Sequence, residues 1–203
     1  MLRFDPREHL AQNIYKLMIG CVVPRPIAFV SSVDEQGIYN LAPFSFFSGV
    51  CSKPPTILFC PGVRATTGKS KDTLRNVLAT KEFVVNIVSE EIAAQMNQTS
   101  AEVGPEVDEF ELSGLTPLAS ELVKTPRVAE SKVQMECRLR EVITISAEPG
   151  GGSVVIGEVL LFHLREDLVD NYRVDPDKLN AVGRMGGPTY TRTRDRFDLE
   201  RPK

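Results

Sequence analysis

The sequence predicts a mainly β fold with flanking helices: a closed or nearly closed antiparallel barrel built as a single domain over residues 1–203. Three observations predict it. Strand-like segments outnumber helical ones, and most are joined by short turns. From Val133 to Ser146 two sets alternate, Val133, Met135, Cys137 and Leu139 against Gln134, Glu136, Arg138 and Arg140, the period-2 pattern of a strand with one buried face. "EPGGGS" (148–153) then turns the chain into "VVIGEVLLFHL" (154–164), apolar on both faces, so a long hairpin with a more deeply buried second arm is expected. Closure removes exposed sheet edges and so favours a barrel, although periodicity alone also permits an open sandwich.

The remaining elements follow in order. "PREHLAQNIYKLMI" (6–19) reads as a short helix and "PRPIAFVSSV" (24–33) as a strand, with "DEQG" (34–37) as a tight turn. "YNLAPFSFFSGV" (39–50) is a strand or a pair of short strands, and "PPTILFC" (54–60) is another apolar strand. "SKDTLRNVLATK" (70–81) reads as a helix, because Leu74, Val77 and Leu78 share a face and Ser70 or Asp72 could cap it. "EFVVNIV" (82–88) is a strand, "SEEIAAQMNQT" (89–99) a second helix, and residues 100–127 a long excursion rich in loop signals. No internal repeat or low-complexity linker divides the chain.

A chain of 203 residues buries roughly 70% of its unfolded surface and needs no staples. A net charge of −3 argues against a nucleic-acid footprint. No run approaches the roughly 18 apolar residues of a membrane helix, and "MLRFDPREHL" lacks signal-peptide architecture. Cys21, Cys51, Cys60 and Cys137 form no CxxC pair and read as free, mostly buried thiols of a reducing compartment, the cytoplasm. Cys51 and Cys60 are expected as small core residues. His9 and His163 stand far apart with no clustered cysteine, so no zinc site is expected, and His163 reads as a hydrogen-bonded core residue. "TRTRDRF" (191–197) reads as a solvated or dimer-contacting tail.

Two segments carry chemistry. "GVRATTGKSKDT" (62–73) follows a strand, opens a helix and holds Arg64, Lys69, Lys71 and a row of hydroxyls. A helix start presents free N–H groups and partial positive charge, so lysines and hydroxyls there make a phosphate cradle. A P-loop is the rival reading, and the spacing argues against it: in "GVRATTGKS" Gly62 stands one residue too early and position 63 is valine. A solvated, lysine-bearing helix start is the plain alternative. The second segment is 39–50, where Asn40, Ala42, Pro43 and Ser45 interrupt the most aromatic stretch of the chain. A flat heteroaromatic ligand has apolar faces and a polar edge, and each buried polar atom left unpaired costs about 1–3 kcal/mol. Small residues, an amide and hydroxyls suit such an edge, and Pro43 interrupts strand pairing where a ligand could take over. A strand bulged at Pro43 with its serines in water fits the residues equally.

"PRPIAFVSSVDEQGIYNLAPFSFFSGVCSKPPTILF" (24–59), followed by "KDTLRN" (71–76), "EFVVNIV" and "VGRMGGPTYTR" (182–192), resembles the flavin reductase-like, FMN-binding split-barrel proteins. The resemblance spans about residues 14–195 and is most specific in the N-terminal half. It implies an FMN-binding split β-barrel in which Asn40, Ala42, Pro43, Ser45 and Phe46 line the isoalloxazine, and Arg25, Ser31 and Ser32 reach the ribityl chain or phosphate. It implies Lys69, Lys71, Asp72 and Thr73 at the phosphate, with Asp72 capping the helix or orienting a lysine, and Arg184 and Tyr190 closing over the flavin. The connection "VRATTGKS" is longer than the family pattern, which leaves Arg64, Lys69 and Lys71 as alternative phosphate ligands.

The resemblance further implies an NAD(P)H:flavin oxidoreductase. NADH or NADPH passes a hydride to the flavin, whose electrons go to a downstream acceptor, with no protein acid or nucleophile and no metal. Backbone N–H groups near the pyrimidine edge would stabilise the reduced flavin. Either free FMN is reduced and leaves to serve a partner monooxygenase, or FMN stays bound and the protein reduces a small molecule or carries electrons. The alternative is a flavin- or heme-binding module without its own turnover. A homodimer is implied; nucleic acid and membrane partners are not.

Overall fold

The computed structural model describes residues 1–64 and 66–202. A short 3-10 turn at Pro6–Glu8, capped by Asp5, precedes helix α1 (Ala11–Cys21), so the helix expected over 6–19 is two pieces. Strands β1 (Ala28–Val33), β2 (Tyr39–Phe44), β3 (Phe47–Ser52) and β4 (Pro55–Phe59) follow, then helix α2 (Asp72–Thr80) and strand β5 (Glu82–Ile87). The expected second helix is a 3-10 turn at Glu90–Ile92 running into α3 (Ala93–Gln98). The excursion contains the short helix α4 (Glu109–Ser113) and the two-residue strands β6 (Pro117–Leu118) and β7 (Arg127–Val128). The long hairpin is β8 (Val133–Ser146) and β9 (Gly152–Leu164). The chain closes with β10 (Val169–Asp170), β11 (Arg173–Val174), α5 (Pro176–Leu179), β12 (Val182–Arg184) and β13 (Tyr190–Arg192).

Seven strands form one antiparallel sheet in the order β2-β1-β5-β8-β9-β4-β3. β2 and β3 are its two edges yet are separated by only two residues of chain, so the sheet curls on itself, and Cys60 N donates to Phe46 O at 2.9 Å beside that junction. The concave side is filled by Val30, Phe44, Phe59, Phe83, Val85, Met135 and Val155, with Leu74 and Val77 of α2 packed against them. The convex side of β1 and β2 carries a second cluster, Phe29, Leu41, Met96, Phe110 and Val182, supplied by α3, α4 and β12. β1 is therefore buried at all six positions.

Some expectations hold and others are corrected. β9 is the more deeply covered arm, as expected, alternating between buried and half-buried positions with Phe162 alone exposed; β8 is buried on both faces from Val133 to Cys137 and then opens, with Ile143 and Ile145 42% and 73% exposed. The cause is coverage. β5 pairs with β8 only as far as Arg138, β4 pairs with β9 only over Val155–Glu158, and the hairpin extends beyond both. Three register shifts along the hairpin also move side chains between faces. In α2, Leu78 is exposed, and Thr73, Leu74, Asn76 and Val77 are the buried residues. Neither Ser70 nor Asp72 caps α2; Lys71 holds the cap position and makes no side-chain cap bond. Only Cys137 is buried, whereas Cys21 and Cys51 are exposed and Cys60 is half-buried. His163 is hydrogen-bonded as expected, 2.7 Å from the fully buried Glu136, but it is half-buried at the rim and not a core residue. Arg192 and Arg194 of the tail pair with Glu90, and Arg196 with Asp177.

Candidate functional site: a cleft along the outer edge of β2

β2 pairs with β1 on one side only, so half of its N–H groups face outward. Leu41 N donates outward to Glu109 at 3.1 Å. Amide directions alternate along a strand, which makes Pro43 the next outward position. The proline thus stands where a donor would otherwise face an open cleft, and it blocks strand addition at this edge.

Two adjoining hollows follow the edge. One, of about 420 Å³, is lined by Asn40, Ala42, Pro43 and Phe44 of β2, Arg64, Lys71, Asp72 and Thr73 at the start of α2, Thr99 to Ala101, and Glu109. The other, of about 620 Å³, is lined by Tyr15, Ile27, Pro43, Ser45, Met96, Asn97, Ser100, Arg184 and Tyr190. They share Pro43 and Ser100, so they form a continuous groove, charged at one end and aromatic at the other.

The charged end is built by the loop before α2. Val63 N binds Gly151 O, Arg64 N binds Lys69 O, and Gly68, at φ +66°, donates to Arg64 O. The tight turn folds Arg64 inward while Lys69 stays exposed. Arg64 Nη2 donates to Asp72 Oδ2 at 2.8 Å, and Arg64 Nε is buried with no hydrogen-bond partner among the described residues. Lys71 Nζ lies 4.0 Å from Glu102 and keeps about a third of its side chain exposed. Thr73 is buried and donates to Asn40 Oδ1 at 2.6 Å.

Asn40 is held on every side. Its Oδ1 also accepts from Ser32 Oγ at 3.2 Å, Ser32 Oγ accepts from Asn76 Nδ2, and Asn40 Nδ2 donates to both carboxyl oxygens of Glu109 at 3.0 and 3.1 Å. Glu109 is 5% exposed. Burial raises its pKa to about 7 against the opposing hydrogen bonds from Leu41 N and Asn40, and the Asp72 charge pushes the same way as burial.

At the aromatic end the Arg184 guanidinium carbon lies 4.4 Å from the centroid of the Tyr190 ring. Arg184 also donates to Gly187 O, and Tyr190 Oη donates to Asn97 Oδ1 at 3.0 Å. β12 and β13, which carry the two residues, pair Arg184 with Tyr190 directly.

The structure therefore brings nine of the sequence-predicted residues to one groove: Asn40, Ala42, Pro43, Ser45, Lys71, Asp72, Thr73, Arg184 and Tyr190. The other five stand elsewhere. Ser31 and Ser32 are fully buried behind β2, bonding Pro126 O and Asn40, and present no surface to a ligand. Arg25, 3% exposed, donates to the carbonyls of Ile19, Val22 and Met185 and to Ser45 Oγ; it braces the groove from behind. Phe46 packs beneath that guanidinium, and Lys69 is exposed. Neither lines the groove. Sequence reasoning missed Glu109, Asn97, Thr99 and Ser100, which come from the excursion and the end of α3. The only local signal was an Asp108 cap before a helix start, and it carries no information on burial.

Residues 19–180 match the model of the flavin reductase like domain, and the chain belongs to that family. It is 43% identical to a protein of Aquifex aeolicus (strain VF5) over 94% of this chain and 95% of that one. Its structure is similar to nitrilotriacetate monooxygenase component B from Bacillus cereus (TM-score 0.93, 37% identity, 98% of each chain). It is also similar to the 2-nitrobenzoate 2-nitroreductase NbaA of Pseudomonas fluorescens (TM-score 0.89, 33% identity, 99% of this chain and 96% of that one). The curled sheet is the split barrel of the flavin reductase-like proteins.

Proposed function

We propose that the groove binds FMN and that the protein is an NAD(P)H-dependent flavin oxidoreductase. One observation carries this reading: a single groove joins a basic, hydroxyl-bearing end to an aromatic and apolar end along a proline-interrupted strand edge. The residues fit the cofactor. The unpaired Arg64 Nε marks a guanidinium whose donors the protein does not exhaust, beside Lys71 and the start of α2, as a phosphate requires. Met96, Ile27 and the Tyr190–Arg184 pair suit the faces of a flat ring, and the small residues Ala42 and Pro43 let it approach the β2 backbone.

Bound flavin supplies the redox centre that takes a hydride from NADH or NADPH and releases electrons to an acceptor. The protein binds and orients. Arg64 and Lys71 hold the phosphate, the Asn40–Thr73–Glu109 network keeps the β2 wall rigid, and Arg184 with Tyr190 shields the ring end from water. Among the described residues no cluster of metal-ligating side chains occurs, and this role asks for none.

The similarity to a monooxygenase component B supports delivery of reduced flavin to a partner monooxygenase. The similarity to a nitroreductase favours the second reading, in which FMN stays bound and a small molecule is reduced in place. We read the protein as a cytoplasmic homodimer. The exposed Ile143, Ile145 and Val50 and the largely exposed α1 give it apolar surface to cover, and no described helix is long and apolar enough to cross a membrane. An anaerobic spectral titration with NADH and NADPH, with and without added FMN, tests the reading. Bleaching of the flavin bands is expected with at least one donor. Turnover of added FMN selects the partner-serving role, and bleaching confined to bound flavin selects the second. A colourless protein that leaves added flavin unreduced would overturn both.

A further inference from the structure

Glu109 is a carboxyl group that flavin chemistry does not require, buried in the wall of the groove that also holds Arg64 and Lys71. Its two fixed donors, Leu41 N–H and the Asn40 amide, come from β2. The ionisable groups around it are few. The start of α2 contributes Asp72, itself paired with Arg64 and Arg75, and the preceding loop contributes Arg64 and Lys71, the latter near Glu102. β2 contributes Tyr39, whose ring meets Phe110 edge-on, and α3, "AAQMNQ", contributes no ionisable side chain. Within α4 and its cap the neighbours are Asp108 and Glu111. Two carboxylates, Glu109 and Asp72, thus share a small volume with two cations.

We propose that filling the charged end of this groove with a phosphate dianion is coupled to uptake of a proton by Glu109. This deepens the flavin reading and rests on it. Before the ligand arrives, Asp72 already repels the Glu109 charge from this end of the groove. A dianion engages both cations and adds two negative charges nearby, so the buried carboxylate gains a proton to relieve the repulsion. Linkage fixes the sign. The unliganded group, near 7, is mostly ionised at pH 8, and the liganded group holds its proton more tightly. Affinity for a phosphate-bearing flavin therefore falls as pH rises through the range 7–9. The limit for a single coupled proton is about tenfold per pH unit. Riboflavin, which lacks the phosphate, leaves Glu109 as it was. The carboxyl acts as a positioning and proton-holding group, not as a catalytic residue.

The test is calorimetry at pH 8 in Tris and in HEPES, whose different ionisation heats report protons exchanged; at this pH the FMN phosphate is already a dianion. Expected for the wild-type protein is uptake of about a third of a proton or more per FMN and less than about a tenth for riboflavin. Glu109→Gln, which keeps an acceptor for Leu41 N and Asn40, should bind FMN without uptake and with an affinity flat between pH 7.5 and 9. FMN heats that are the same in both buffers overturn this inference and leave the flavin reading intact. Uptake that persists in Glu109→Gln assigns the proton elsewhere and also overturns it. No binding of FMN in either buffer overturns both. The wild-type comparison of FMN with riboflavin decides the coupling even if the variant fails to fold.

Discussion

Arg64 Nη2 donates to Asp72 Oδ2 at 2.8 Å across the start of α2, and Asp72 Oδ1 accepts in turn from Arg75 Nη1 at 2.5 Å. The helix lacks a side-chain cap, so Asp72 spends its two oxygens on arginines instead of on backbone N–H groups. Those N–H groups, and the guanidinium that Asp72 orients, remain for an anion.

The proposed phosphate contact through Arg64 and Lys71, which line the groove while Lys69 does not, makes a prediction. Arg64→Ala should raise the FMN dissociation constant about 10–100-fold, as expected for losing a charge-assisted contact of about 1.5–3 kcal/mol. Riboflavin affinity should change less than about threefold, and Lys69→Ala should change neither by more than that. Fluorescence titration with both flavins checks this. Equal losses for FMN and riboflavin would remove the phosphate from this end.

The aromatic end should behave in the opposite way. Arg184→Ala removes a cation–π contact worth about 0.5–2 kcal/mol, so FMN and riboflavin affinities should drop together, about 3–30-fold. Tyr190→Phe keeps the ring and loses only the bond to Asn97, so its effect should stay within about threefold. A selective loss of FMN in Arg184→Ala would place the phosphate at the wrong end of the groove.

Glu136 is fully buried and gathers the backbone N–H groups of Glu121, Leu122 and Val123, at 2.8, 2.6 and 3.2 Å, together with the His163 ring. Burial alone would raise its pKa, but these bonds prevail and hold it below the ordinary carboxylate value. The unfolded chain therefore binds this proton more readily. The resulting stability is complete above the unfolded value near pH 4.5 and is lost as pH falls through the folded value. Glu136→Ala leaves three donors without their acceptor and should cost about 2–4 kcal/mol, a fall in Tm of roughly 5–15 °C. Melting followed by circular dichroism at pH 7 and pH 4 should show the variant closing on the wild type at the lower pH. A constant gap would remove the electrostatic account.

Gly157 of β9 is set against Phe83, which is fully buried. A Cβ there would come within 2.8 Å of Phe83 Cε1 and closer to Cζ. Gly157→Ala should destabilise the barrel by about 1–3 kcal/mol without altering flavin affinity per folded molecule. Unchanged melting would mean that the Phe83 ring can move aside.

Most of the barrel was legible because period-2 patterning reports local burial. The pattern failed where burial depends on a neighbour's length: Ile143 and Ile145 look like core residues but lie beyond the reach of β5 and β4. The candidate site was legible where the groove is lined by β2 and the α2 start, short segments of distinctive composition. Ser31 and Ser32 were misplaced because both faces of β1 are covered, one by α2 and one by α3 and α4, which no strand pattern announces. Glu109 was missed because a glutamate in a loop-rich excursion reads as solvated. Only the chain's return to Leu41 buries it.

Arg25 draws together carbonyls at positions 19, 22 and 185, and the Arg25 and Arg184 backbones exchange bonds of 2.9 and 2.8 Å. Residues 19–25 and 184–185 are thereby tied into one unit, so a change near either end of this segment pair reaches the groove wall that holds Ser45 and Arg184.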